Sequence, residues 1–208
     1  MPDMTAIAKA VEEGRSDDLL VRVGEALRSG VPAATILKDG LVPGMDAVGR
    51  LFRDGEYFLP EVLIAARAMN RALVELEPLL RGNDAARRGK VVLATVKGDM
   101  HDIGKTIVSI MVRGAGYEVV DLGVDVPAGK VVAAVREHRP VAVGLSALLT
   151  TTMLAMKDVI DALRQAGLRE QVKVLIGGAA VTGPYAREIG ADGTSDDAYG
   201  AVELLRGA

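Results

Sequence analysis

From Lys90 onward, short apolar runs rich in β-branched residues alternate with stretches of helical length, and this alternation constrains the fold more than any other feature. Val91–Val96 reads as a strand and Ile103–Arg113 as a helix. Tyr117–Leu122 and Ala128–His138 repeat the pair, as do Val141–Ser146 with Thr152–Ala166 and Val172–Ile176 with Pro184–Ile189. A short run near Ala191-Asp192 and a helix over Asp197–Leu205 finish the chain. The alternation predicts a parallel sheet with helices on both faces. Such sheets bind ligands at the carboxyl ends of their strands. Lys97–Gly104, Ser146–Thr152 and Gly177-Gly178 all fall at such ends.

Residues 1 to about 80 have a different pattern, with helices only. Asp3–Glu13 and Asp17–Arg28 are amphipathic, and Ser29-Gly30 stops the second. A third helix starts at Pro32, a good first helical position, and runs to about Lys38; a fourth covers Pro43–Phe52. The fifth, Pro60–Leu80, carries Val62, Leu63, Ala66, Met69, Leu73, Leu76 and Leu80 on one stripe. Short connections predict an antiparallel bundle. The polar, glycine-bearing stretch at 81–90 reads as a linker, so the expected division is a helical domain at 1–82, a linker at 83–89 and a sheet domain at 90–208.

With two Phe, four Tyr and no Trp, the core has to be aliphatic. No cysteine is present, which excludes disulfides, thiolate metal sites and a Cys nucleophile. A net charge of -3 gives no broad basic footprint for nucleic acid. Met1-Pro2-Asp3-Met4 lacks the features of a signal peptide, and no apolar run approaches a membrane span. The expectation is a soluble cytoplasmic protein with no nucleic-acid or membrane partner.

The loop "KGDMHDIGKT" (97–106) closes on Gly-Lys-Thr after a strand, like a phosphate cradle. Its spacing is wrong: that motif needs four residues between its first glycine and Gly-Lys-Ser/Thr, and five separate Gly98 from Gly104. Asp99 and Asp102 would also repel a polyphosphate. The alternative lies in Asp99-x-His101-x-x-Gly104. Neutral imidazole is a common metal ligand, and a ligating His usually donates its other N–H to a carboxylate, which Asp99 could supply. Gly104 leaves room for something bulky. One ligand cannot hold a bare ion tightly, but it suits a metal already chelated by a macrocycle. A His beside acids at a helix start can equally be a cap or a solvated turn residue, and these six residues do not separate the two.

Asp99-x-His101-x-x-Gly104, then Ser146-x-Leu148, then Gly177-Gly178, resembles the three-part signature of cobalamin-binding domains of the methionine synthase type. "GMDAVGRLF" (44–52) and "GEYFLPEVLIAARAM" (55–69) are similar to that family's helical cap. The resemblance spans nearly the whole chain and is strongest to stand-alone corrinoid proteins of methyltransferase systems. It implies a helical-bundle cap followed by a Rossmann-like (flavodoxin-like), doubly wound parallel sheet. It implies His101 as lower axial ligand of cobalt, Asp99 bonded to His101, and Thr152 extending the relay; methionine synthases usually have Ser at that place. Asp102, Ile103 and Gly104 complete the His loop. Ser146, Leu148, Thr150, Gly177 and Gly178 would receive the displaced nucleotide tail. Phe52 and Leu59 match cap residues over the upper corrin face, although by position alone they read as bundle core.

The implied activity is methyl carriage: cob(I)alamin accepts a methyl group from a substrate on one methyltransferase, and methylcobalamin passes it to a second, serving tetrahydrofolate or a thiol. A reductive activase is a third implied partner, and motion of the cap about 81–90 would open access. The chain is then a carrier subunit and not a complete enzyme. The same domain pair also occurs in cobalamin-responsive sensors, which usually carry a DNA-binding module ahead of the cap. Carbon-skeleton mutase subunits share the His motif without this cap, and a generic α/β module with a simple metal site is the remaining alternative.

Overall fold

The computed structural model describes residues 3–80 and 88–207. Residues 113–116 aside, the chain divides into a helical unit ending at Arg88 and a sheet unit starting at Gly89. The expected linker at 83–89 and hinge at 81–90 fall mostly on residues 81–87, outside the described residues.

The helical unit comprises α1 (Met4–Glu12), α2 (Ser16–Arg28), α3 (Ala33–Ile36), a π-helical turn (Leu37–Leu41), α4 (Val42–Arg53) and α5 (Leu59–Leu80). Asp3 caps α1, its Oδ1 accepting the N–H groups of Thr5 and Ala6 at 2.9 and 3.3 Å. The sequence predicts two helices, at 32–38 and 43–52. The chain is instead helical from Ala33 to Arg53, passing through the π turn. Pro43 has no N–H to continue a regular ladder, and the wider turn absorbs the break: the Val42 N–H reaches back to the Leu37 carbonyl. Gly40 and Gly44 let α1 lie close to this segment. A Cβ on them would come within 2.9 Å of Ile7 Cγ2 and 2.5 Å of the Ala8 carbonyl oxygen, respectively. On α5 the buried stripe is Val62, Ala65, Ala68, Met69, Ala72, Leu76 and Leu80. Leu63, expected on that stripe, is exposed, because small alanines face the neighbouring helices there.

The sheet unit runs β1 (Lys90–Thr95), α6 (Ile103–Gly114), β2 (Glu118–Asp121), α7 (Ala128–His138), β3 (Ala142–Ser146), α8 (Leu154–Gln165), β4 (Lys173–Gly177), α9 (Gly183–Ile189), β5 (Gly193–Thr194) and α10 (Ala198–Arg206). The strand order is β2-β1-β3-β4-β5, and every pairing is parallel. Val92, Ala94, Val143, Leu145, Val174 and Ile176 face one core, built with α7 and α8 through Val131, Val135, Met156, Val159, Ile160 and Leu163. The last strand lies at 193–194, not at Ala191-Asp192. Asp192 opens this edge with both its backbone and its side chain: its N–H donates to the Val174 carbonyl (2.8 Å) and its carboxylate accepts the Val174 N–H (2.6 Å).

Chain order reverses about β1: the next strand lies on one side of it and β3 on the other, with Thr95 paired to Ser146. Loops after β1 and β3 leave in opposite directions at such a switch point and open a crevice between them. Asp99-x-His101 follows β1, and Leu148–Thr152 follows β3. Among the described residues, no helix is long and apolar enough to cross a membrane.

Candidate functional site

At the switch point the loops after β1 and β3 meet on one side chain. Asp99 is 1% exposed. Its Oδ1 accepts the His101 N–H (3.0 Å) and lies 2.7 Å from His101 Nδ1; its Oδ2 accepts the Leu148 N–H (2.8 Å) and the Thr152 hydroxyl (2.6 Å). Both oxygens are thus fully engaged. Burial alone would raise the carboxyl pKa, but the bonds from Thr152, the His101 and Leu148 amides and the imidazole outweigh it, holding Asp99 well below the usual carboxylate range.

This settles the geometry of the ring. An ionised carboxylate only accepts, so His101 Nδ1 donates to Asp99. In the neutral ring Nε2 then carries a free lone pair. The imidazole is 52% exposed, so the ring is open to a ligand from outside. The Thr152 hydroxyl also lies 3.1 Å from the Leu149 carbonyl; with one proton to give, it favours the shorter, charge-assisted bond to Asp99.

Elements that the sequence reading passed over hold this loop. Thr95, fully buried at the end of β1, donates its hydroxyl to the His101 carbonyl (2.9 Å). Asp125 accepts the Gly98 N–H on Oδ1 (2.7 Å) and donates its own N–H to the Asp99 carbonyl (3.0 Å). It does so from a left-handed conformation, φ 51°. Lys105, one turn into α6, is 6% exposed and bridges both Asp121 oxygens at 2.5 Å. A polar Thr inside the apolar run Val91–Val96 was a legible hint. Asp125 and Asp121 lie in a later strand and loop, and no local pattern marks them.

The other expected residues take varied positions. Asp102 is exposed and its carbonyl accepts the Thr106 N–H within the first turn of α6 (2.8 Å). Ile103 and Leu148 expose apolar side chains, 73% and 40%. Ser146 is half-buried at the end of β3 and Thr150 is exposed. Gly104 and Gly177 border open space: a Cβ on either would meet nothing within 4 Å. Gly178 differs, with φ 130° and a position where a Cβ would lie 1.8 Å from the Ala147 carbonyl oxygen. Phe52, late in α4, and Leu59, first in α5, are half-buried in the helical unit.

This donor set rules out one kind of site and suits another. Among the described residues no group of three or more His, Asp or Glu side chains could hold a metal ion. A single imidazole with its second nitrogen fixed by a buried carboxylate fits a metal whose other ligands come with it. The open faces at Gly104 and Gly177 and the exposed apolar side chains of Ile103 and Leu148 suit a large, flat, partly apolar group.

Comparisons with known proteins agree with this chemistry. Two family models, each described as a B12 binding domain, match residues 4–77 and 89–203. A corrinoid protein of Desulfitobacterium hafniense is 41% identical over 95% of this chain and 93% of its own length. Dimethylamine corrinoid protein 1 of Methanosarcina acetivorans is 44% identical over 94% of this chain and 92% of its own. The solved methanol:cobalamin methyltransferase complex MtaBC from Methanosarcina barkeri contains a chain that superposes with a TM-score of 0.85 at 36% identity, covering 99% of this chain and 80% of that one. With one model matching more than half of its length and close relatives matching nearly all of it, the chain belongs to the B12-binding family.

Proposed function

We propose that this protein is a corrinoid methyl carrier, which holds cobalamin on its sheet unit and serves a substrate-specific methyltransferase and a second, acceptor methyltransferase. The observation that carries the reading is the His101 imidazole, tied at Nδ1 to buried Asp99 and free at Nε2. The division into cap (1–82), linker (83–89) and cofactor domain (90–208), and a cytoplasmic location, go with it. The methyltransferase partner is supported by the likeness to a chain of a methanol:cobalamin methyltransferase complex. The acceptor methyltransferase, with tetrahydrofolate or a thiol as acceptor, and a reductive activase complete the proposal by chemical necessity: a carrier must unload, and an inactivated cobalt must be restored.

Cobalamin, when bound, supplies a cobalt that takes up and releases a methyl group. The chain's residues do the rest. His101 Nε2 would be the chain's donor to that cobalt. Asp99 fixes the tautomer and the orientation of the ring. Thr152 and Leu148 keep Asp99 ionised and in place. Ser146, Leu148, Thr150, Gly177 and Gly178 line the side on which a nucleotide tail would lie, while Asp102, Ile103 and Gly104 carry the loop past the ring. Phe52 and Leu59 are the cap residues proposed to shelter the upper face.

His101→Ala tests this reading. The protein is reconstituted with hydroxocobalamin, reduced to the cob(II) state and examined by electron paramagnetic resonance. The wild type is expected to show axial nitrogen coupling. The variant is expected to bind corrinoid but lose that coupling, with stability lowered by about 1 kcal/mol for the one bond to Asp99 lost from a half-exposed ring. No stoichiometric corrinoid on the wild type rejects the function; identical spectra reject His101 as ligand.

A further inference from the structure

The segment between β3 and α8, residues 147–153, is held from two sides. On one side Asp99 Oδ2 accepts the Leu148 N–H and the Thr152 hydroxyl. On the other, the Ala147 N–H donates to the Gly177 carbonyl (3.1 Å). On that same side the hydroxyl of Tyr185, on α9, donates to the Met153 carbonyl (2.7 Å). Within the segment the N–H groups of Thr152 and Met153 both turn back to the Leu149 carbonyl (3.2 and 3.0 Å). Thr152 therefore sits in a tight turn whose next carbonyl, that of Met153, accepts the Met156 N–H at the start of α8 (3.0 Å) and, from a separate element, the Tyr185 phenol.

Tyr185 is well placed for this. Its ring packs against the sheet core and is half-buried. Thr182 caps its short helix, the Oγ1 accepting the Tyr185 N–H (3.4 Å). Tyr185 touches neither Asp99 nor His101 in the hydrogen-bond network; it reaches them only through Met153 and Thr152.

We propose that Tyr185 is a positioning residue for the axial imidazole: by holding the Met153 carbonyl it sets the Thr152 turn, keeps the Thr152 hydroxyl on Asp99 and so fixes which nitrogen of His101 is free. The functional meaning of this device rests on His101 being the axial ligand, but the device is a property of the protein without cofactor. It also joins the Gly177-Gly178 side of the crevice to the imidazole side through one seven-residue segment.

The test is the tautomer of His101 in the cofactor-free full-length protein. Imidazole-15N-labelled protein in a His138→Gln background leaves one histidine to observe, at a pH about two units above the usual imidazole value of about 6.5. The wild-type ring is expected to be protonated at Nδ1. Tyr185→Phe, which keeps the ring and removes one hydrogen bond, is expected to raise the weight of the Nε2-protonated tautomer about fivefold. Thr152→Val should shift it the same way and further. A Tyr185→Phe spectrum equal to wild type overturns the proposal, whether or not Thr152→Val shifts. Loaded samples separate this result from the function: absence of axial nitrogen coupling in wild-type cob(II) protein rejects the ligand reading, while the cofactor-free spectra still decide the role of Tyr185.

Discussion

Asp99→Ala is expected to destabilise the sheet unit by about 3–5 kcal/mol, the range for removing one partner from a buried, hydrogen-bonded charge network. The side chain removed is 1% exposed, and its loss leaves the Leu148 and His101 amides without their acceptor. The Thr152 hydroxyl can fall back on the Leu149 carbonyl 3.1 Å away, which keeps the loss toward the lower part of the range. A melting point lower by on the order of 10 °C is the readout. A loss of less than about 1 kcal/mol would mean that the four bonds to Asp99 do not hold the two loops together.

The pH dependence of this loss has a definite sign. The folded state depresses the pKa of Asp99 below its unfolded value, so its contribution is present above about pH 4 and is lost as pH falls further, through the folded value. The wild-type advantage over Asp99→Ala should therefore be flat at neutral pH and shrink only in acid. His101→Ala is the useful contrast. It removes a half-exposed ring and one of the four bonds to Asp99, so it should abolish axial ligation at a much smaller cost in stability than Asp99→Ala, which should impair both.

Gly178→Ala is the second large effect, and its neighbour gives the control. At Gly178 the backbone has φ 130°, and an added Cβ would lie 1.8 Å from the Ala147 carbonyl oxygen. That oxygen belongs to a backbone that cannot easily yield: the Ala147 N–H is bonded to Gly177 and the next N–H to Asp99. Strain and overpacking together should cost about 3 kcal/mol or more, with Leu148 displaced from Asp99 in whatever fold survives. Gly177 has an ordinary backbone conformation and open space where its Cβ would stand. Gly177→Ala should therefore melt like wild type but bind cobalamin on the order of tenfold more weakly if the nucleotide tail occupies that space. Cobinamide, which has no nucleotide tail, should bind both proteins alike. Equal weakening for both corrinoids would move the tail away from Gly177.

Much of this protein is local in origin and therefore legible in the chain. Strand and helix periodicity follows from which residues must face a core, so the alternation after Lys90 determined a parallel α/β sheet and pointed to its strand ends for the candidate site. The spacing of Asp99, His101 and Gly104, two residues and then three, determined that an imidazole and a carboxylate share one turn. Helix breaks were less legible: Pro43 reads as a start, yet the helix passes through it, because a π turn absorbs a missing N–H that sequence alone cannot weigh. What only tertiary structure decided is the rest of the site. Leu148 and Thr152 are 49 and 53 residues beyond Asp99, and Asp125, Lys105 with Asp121, and Tyr185 act through the packing of separate elements. Their partners are set by strand order and by the closeness of buried backbones such as Gly178 on Ala147. Local propensity encodes neither, because both arise only when parallel strands distant in sequence are brought side by side.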